Sequence, residues 1–82
     1  MLKANVYVTL KSGVLDPQGE AVKRSLHVFG YDQVEELRIG KFIEVWLKSE
    51  DRLQAEKELK EMSDKLLANP VIENFVVELT ED

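Results

Sequence analysis

The sequence predicts an α+β domain whose strands and helices follow one another in the order βαββαβ. Some stretches alternate between apolar and polar residues, as half-buried strands do, and two carry apolar residues at three- and four-residue intervals, as helices do. The 82 residues suffice for one small domain, placed at 1–82, with no linker or repeat. A central hairpin with a crossover helix in each half predicts the ferredoxin-like arrangement, a four-stranded antiparallel sheet with two helices on one face.

The first strand and the first helix are predicted on either side of a capped junction. Residues 4–10 alternate in polarity and predict the strand, and residues 17–29 show the helical period. Asp16 suits the N-cap because its carboxylate accepts hydrogen bonds from the first turn, and Pro17 suits the first helical position. Gly30 is placed to end this helix in a left-handed conformation.

A tight hairpin is expected in the middle of the chain. Residues 33–39 and 41–48 are both strand-like, and Gly40 separates them. Two such runs around a short glycine-containing segment are typical of a β-hairpin, here with its turn at 38–41.

The second helix and a final strand complete the order. Ser49 or Asp51 is suited to cap the helix, and Asn69-Pro70 to end it. The last strand is expected from Ile72 to Leu79, with a solvated tail after it. The apolar stripe of the helix repeats at four, three and four residues and consists of Ala55, Leu59, Met62 and Leu66.

An uncovered sheet face carrying aromatic side chains is the next expectation. If the aliphatic residues of the third strand meet the helices, Phe42 and Trp46 stand on the opposite face with Tyr7, and Val76 joins them. Aromatic residues are enriched at the centres of protein interfaces, so Tyr7, Phe42 and Trp46 predict self-association. Stacking on RNA bases is disfavoured, because Glu44 lies among these aromatics and the net charge is −5.

Composition argues against chemistry by this chain alone. It has no cysteine and one histidine, and no phosphate-binding loop or nucleophile motif surrounds its serines and glycines. We therefore expect no catalytic residue, no metal ligand and no cofactor site in it. No apolar run is long enough for a signal peptide or a membrane span, so a cytoplasmic protein with no membrane or nucleic-acid partner is predicted.

Four co-linear blocks carry a resemblance to a known family. They are Tyr7-Val8-Thr9-Leu10-Lys11, Val14-Leu15-Asp16-Pro17-Gln18-Gly19, Arg38-Ile39-Gly40-Lys41 and Leu66-Leu67-Ala68-Asn69-Pro70-Val71-Ile72-Glu73. With them, almost the whole chain resembles the PurS-type small subunits of formylglycinamide ribonucleotide amidotransferase.

The resemblance implies a role in purine biosynthesis, as part of a glutamine-dependent ligase. In that family a glutaminase subunit releases ammonia, and a large synthetase subunit uses ATP and Mg²⁺ to convert formylglycinamide ribonucleotide to formylglycinamidine ribonucleotide. The small subunit bridges the two and assists ammonia transfer. Separately, the outward aromatic side chains predict a homodimer or a higher homo-oligomer. The alternative, from another class, is an ACT-like ligand-sensing regulatory module, which shares the element order.

Two segments are predicted to meet the partner subunits. Asp16, Gln18 and Gly19 open the first helix, where a glycine costs roughly 1 kcal/mol relative to alanine and allows a close approach. Arg38 and Lys41 bracket Gly40 and are suited to bind carboxylates or phosphates of a larger subunit. The two segments need not lie at the same end of the sheet and are assigned to different partners. The simpler alternatives are an ordinary capped helix start and a hairpin kept soluble by charge.

Overall fold

Three strands form an antiparallel sheet in the computed structural model, which describes residues 1–81. They are β1 (Leu2–Leu10), β2 (Lys41–Leu47) and β3 (Glu73–Glu81), and β1 lies in the middle. Helix α1 (Pro17–Val28) joins β1 to β2, and helix α2 (Arg52–Met62) lies between β2 and β3. None of the helices in this part of the chain is long and apolar enough to cross a membrane.

The core lies between one face of β1 and helix α2. The alternation of β1 buries Leu2, Ala4, Val6 and Val8, each no more than 3% exposed. Helix α2 covers this face with Ala55 and Leu59, which are equally buried. Because successive strand residues point to opposite faces, the same alternation turns Tyr7 to the uncovered side. The predicted burial of β1 is confirmed.

A π-helical turn changes the expected register at the end of α2. Residues Ser63–Leu67 form this turn, and the N–H of Ala68 donates to the carbonyl of Ser63 at 2.8 Å. The wider turn takes up an extra residue, so Leu67 packs against the core while Leu66 is 87% exposed. The expectation that Leu66 belongs to the buried stripe is therefore wrong.

The sheet has three strands, so the predicted four-stranded sheet is wrong. Residues 33–39 form no strand, and the hairpin at 38–41 does not exist. Gly40 has no positive φ, and the chain enters β2 directly after it. Beyond β2 the sheet has no further strand within residues 1–81.

Hydrogen bonds to α1 explain why residues 31–40 do not pair with β2. The N–H of Tyr31 donates to the carbonyl of Leu26 at 3.0 Å, and Nε2 of His27 lies 2.7 Å from the carbonyl oxygen of Val34. Farther along, the N–H of Ile39 donates to the carboxylate of Asp16 at 2.9 Å. Two backbone groups of the predicted strand, the carbonyl of Val34 and the N–H of Ile39, are therefore bound to the helix and its cap instead of to β2.

The boundaries of the elements follow the capping residues closely. Gly30 has a φ of +98°, the left-handed conformation expected after α1. Asp51, one of the two candidate caps, accepts a hydrogen bond from the N–H of Gln54 at 3.1 Å. Strand β3 continues to Glu81, so the tail begins later than predicted; Asp82 lies outside the described residues.

Candidate functional site

Both segments predicted to meet partners lie at one end of the sheet. They line a single cleft of about 510 Å³, called here the junction cleft. This end of the molecule brings together the start of α1, the end of segment 31–40 and the first residues of β2 and β3. The residues of the junction cleft are Leu10, Leu15, Asp16, Pro17, Gln18, Ile39, Gly40, Lys41 and Glu73.

Asp16 holds the two segments together. Its carboxylate accepts one hydrogen bond from the N–H of Gly19, as the cap of α1, and a second from the N–H of Ile39, both at 2.9 Å. These bonds to Gly19 and Ile39, with a smaller contribution from the Arg38 charge, hold the pKa of Asp16 below its ordinary value. A residue predicted as a partner contact thus has a structural role within the chain.

Gly19 allows a close approach, and the group that approaches it is the backbone of Leu37 in the same chain. It is buried, and a Cβ at this position would overlap the Asp16 carboxylate and lie 2.7 Å from the carbonyl oxygen of Leu37. This contact explains a glycine in the first turn of a helix. The prediction that Gly19 touches a partner subunit stays a prediction.

Arg38 and Lys41 are both bound to backbone carbonyls. The guanidinium of Arg38 donates to the carbonyl of Lys11 at 3.0 Å, with the carbonyl of Leu10 at 3.4 Å. Lys41 donates to the carbonyl of Leu67 at 3.2 Å, and its ammonium lies 3.7 Å from the carboxylate of Glu73. The two cations fasten neighbouring segments to the sheet end, and their predicted contact with a partner is untested.

Gln18 is the predicted residue best placed for a partner. Its side chain is exposed at the rim of the junction cleft and makes no hydrogen bond with the described residues. Sequence reasoning missed Glu73, which lines the same cleft and accepts from the N–H of Asn69 at 2.6 Å. Two signals could have pointed to it: Glu73 begins β3 directly after a loop, and it ends the fourth block that carries the resemblance.

The uncovered sheet face carries an apolar row across all three strands. Tyr7 of β1 is opposite Phe42 of β2 and Val76 of β3 in the register. The Tyr7 and Phe42 rings are stacked with centroids 5.1 Å apart, and Phe42 and Val76 are more than half exposed. We call Phe42, Tyr7 and Val76 the aromatic row.

Trp46 stands apart from the aromatic row on the same face. The ammonium of Lys3 lies 5.3 Å from the centre of the Trp46 ring and 2.7 Å from the carboxylate of Glu44. Between this cluster and the aromatic row, Asn5 donates to Glu78 at 3.1 Å. The three predicted self-association residues share one face, as expected, but form two patches separated by polar groups.

The described residues offer no cluster of side chains suited to bind a metal ion. Among residues 1–81 no three His, Cys, Asp or Glu side chains are grouped so that they could hold a metal ion.

A family model for PurS, phosphoribosylformylglycinamidine synthase, matches residues 3–81. The chain belongs to the PurS family. It is therefore a subunit of a glutamine-dependent ligase of purine biosynthesis. This assignment replaces the alternative of an ACT-like regulatory module.

Relatives and solved structures agree with the assignment to the PurS family. The PurS subunit of Synechocystis sp. is 51% identical over 75 residues, which cover 92% of this chain and 75% of that one. The fold matches the Bacillus subtilis PurS crystal structure with a TM-score of 0.89 and 48% identity, covering 99% and 100% of the two chains. It also matches a chain in the structure of PurLQS from Thermotoga maritima with a TM-score of 0.84 and 32% identity, covering 98% and 99%.

Proposed function

We propose that this chain bridges the glutaminase and large synthetase subunits of its synthase and assists the transfer of ammonia between them. In this proposal the large synthetase subunit uses ATP and Mg²⁺, and this chain supplies no catalytic residue. Ammonia is protonated in neutral water, so an enclosed route between two active sites preserves the nucleophile. The proposal places the chain in the cytoplasm, with its companion subunits.

The observation that carries the proposal is the full-length likeness to a chain of the Thermotoga maritima PurLQS assembly. The likeness covers 98% of this chain and therefore extends over the sheet and both helices. A small domain with an uncovered sheet face and an exposed cleft at one sheet end has at least two surfaces for companions. That arrangement suits an adaptor between larger subunits.

The shape of the chain supports self-association as a further part of the proposal. The radius of gyration is 16.2 Å, whereas a compact chain of this length has about 12 Å. Its accessible surface is 6072 Å², against about 5000 Å² for a compact monomer of this mass. Of α1, only Gly19 is buried, and Val28 is 84% exposed. We propose that a second copy covers apolar surface left open by this extended form.

Reconstitution tests the bridging role. Adding the chain to the glutaminase and synthetase subunits is expected to restore synthesis from glutamine, and to change synthesis from added ammonia much less. The reason is that added ammonia reaches the synthetase without a bridge. Initial rates with each nitrogen source, with and without the chain, make the comparison. Equal restoration of both rates would contradict a role in ammonia transfer and indicate activation of the synthetase instead.

A matched pair of variants tests whether the junction cleft is the surface that contacts the partner subunits. Gln18→Arg adds bulk and charge at the rim of the junction cleft, whereas Gln33→Arg makes the same change at an exposed position outside it. We expect Gln18→Arg alone to raise the concentration of chain needed for half-maximal glutamine-dependent synthesis. Equal curves for the two variants would remove the junction cleft from the partner interface.

A further inference from the structure

The outer edge of β3 is an open line of hydrogen-bonding groups. The N–H of Lys11 donates to the carbonyl of Ile72 at 2.8 Å, and the register continues that pairing along β1 and β3. Since antiparallel partners alternate, the backbone groups of Phe75 and Val77 then point away from β1. The carbonyl of Leu79, two residues after Val77, accepts a hydrogen bond from the guanidinium of Arg52 in α2 at 3.2 Å. This bond agrees with the alternation, because the carbonyl of Leu79 also points away from β1.

An apolar groove runs beside this edge. Its volume is about 580 Å³, and β3 forms one wall while α2 and the turn after it form the other. The half-buried side chains of Phe75 and Val77 supply the apolar surface, and both pack against the core. The residues lining the groove are Lys60, Glu61, Asp64, Phe75, Val76 and Val77.

The charges around the groove favour a basic occupant. Lys60 is 3.5 Å from Glu56, so its charge is compensated within α2. Glu61 and Asp64 make no ion pair with any residue of 1–81, which leaves the rim of the groove negative. A basic segment would compensate both carboxylates.

Pairing of two β3 strands is disfavoured by the same charges. Strand β3 carries Glu73, Glu78 and Glu81 and has no basic residue. Edge-to-edge pairing of two copies would bring these acidic strands together, and like charges across a strand pair are destabilising. A second copy of the chain is therefore a poor occupant of this edge.

We propose that an extended segment of a companion subunit adds as a fourth strand along β3. Its backbone pairs with Phe75 and Val77, its apolar side chains enter the groove, and its Lys or Arg side chains meet Glu61 and Asp64. Main-chain hydrogen bonds supply affinity in such strand addition, and side-chain pockets supply specificity. The inference rests on the proposed function only in taking the occupant from the assembled synthase.

Amide hydrogen exchange in the assembled synthase tests the proposal. The amides of Phe75 and Val77 are expected to exchange at least tenfold more slowly in the complex than in the isolated chain. Rapid exchange in a complex that elutes as one assembly would overturn this inference and leave the bridging role intact. Slow exchange in the isolated chain that is lost on dilution would show that a second copy occupies the edge, which also overturns it. Failure to assemble at all would instead contradict the proposed function.

Two variants of Val77 distinguish the loss of backbone pairing at the β3 edge from the loss of packing in the core. Val77→Pro removes the outward N–H, whereas Val77→Ala keeps that N–H and removes two methyl groups that pack against the core, which is the larger loss of packing. We expect Val77→Pro to weaken assembly by tenfold or more relative to Val77→Ala, with circular dichroism melts confirming that both variants fold. Equal affinities of the two folded variants would overturn the proposal.

A charge variant tests the chemistry of the occupant without changing the edge. Glu61→Lys with Asp64→Lys is expected to weaken assembly about tenfold, and more at low than at high salt. Asp32→Lys with Glu35→Lys makes the same charge change at exposed positions away from the groove. Equal effects of the two double variants would overturn the assignment of a basic segment to this groove.

Discussion

Asp16 links two segments that are far apart in the chain. One carboxylate oxygen caps α1 through Gly19, and the other accepts from Ile39, so the entry to the helix and the approach to β2 share one side chain. Because the side chain of Asp16 connects both segments, its replacement is expected to affect the whole junction cleft.

Replacing Asp16 is expected to destabilise the chain. Asp16→Ala removes both acceptors and should lower Tm by several degrees, while Asp16→Asn keeps one oxygen acceptor and should lower it less. Thermal melts followed by circular dichroism at neutral pH measure the order. Equal Tm values for the parent and Asp16→Ala would show that the two hydrogen bonds contribute nothing to stability.

The pKa of Asp16 gives this effect a pH dependence. A carboxylate whose pKa is lower in the folded state stabilises the fold fully above its unfolded value, here 3.8, and loses that contribution as the pH falls through the folded pKa. The Tm difference between the parent and Asp16→Ala should therefore be constant at neutral pH and shrink below about pH 3.8.

The junction residues show what local sequence can and cannot predict. The cap at Asp16 depends on its neighbours in the chain, so the sequence alone predicts it. The second bond of Asp16, to Ile39, depends on how the chain returns from α1, and no local pattern announces it. For the same reason, Gly19 was correctly identified as a point of close approach, but the backbone that approaches could not be named.

At the level of elements, the π-helical turn buries a hydroxyl. Ser63 is fully buried, and its Oγ has no hydrogen-bond partner among the described residues. The turn rotates the chain after α2 so that Leu67 takes the inward position. A buried polar atom without a partner is destabilising, so Ser63 is a site where stability can be gained.

Ser63→Ala is expected to raise the free energy of unfolding by about 1 kcal/mol, from helix propensity and from the removal of an unpaired hydroxyl. Ser25→Ala, at an exposed site in α1, makes the same change of helix propensity where Oγ has a partner, because it donates to the carbonyl of Ala21 at 3.1 Å, and we expect a smaller gain there. Urea unfolding at 25 °C measures both changes. A lower stability of Ser63→Ala would mean that its hydroxyl has a partner.

Helix α2 and β1 were predictable because periodicity decides them, whereas the absent hairpin was not. Residues 33–39 have a strand-like composition, but the carbonyl of Val34 binds to His27 of α1 and the N–H of Ile39 binds to Asp16. Tertiary contacts decide whether these backbone groups bind to the helix or pair with another strand. Composition therefore predicted a strand and a hairpin where the structure has neither.

For the whole molecule, the exposed apolar surface leads to a prediction of self-association. Phe42→Glu places a charge in the aromatic row, and Trp46→Glu places one in the second patch of the same face. We expect each to raise the dissociation constant for self-association tenfold or more, because aromatic residues carry much of the energy of interfaces.

A third variant controls for the added charge. Leu66→Glu makes a similar change at an exposed apolar site outside the sheet face. Light scattering across a dilution series measures all three variants. If the parent is monomeric, or if Leu66→Glu has the same effect as Phe42→Glu, the sheet face is not the contact.

The central position of β1 has a consequence for the order in which the chain folds. β1 is synthesised before β2, both helices and its partner β3, and Leu2 pairs with Glu81, 79 residues farther along the chain. Closing such a long loop costs entropy before the contact is gained, and sheets rich in distant pairs fold slowly. During synthesis, one edge of this apolar strand therefore stays unpaired until β3 has been made. A nascent chain that stops before β3 leaves that backbone edge unpaired and the core side chains of Val6 and Val8 without the cover of Phe75 and Val77, so it is the form most prone to aggregation.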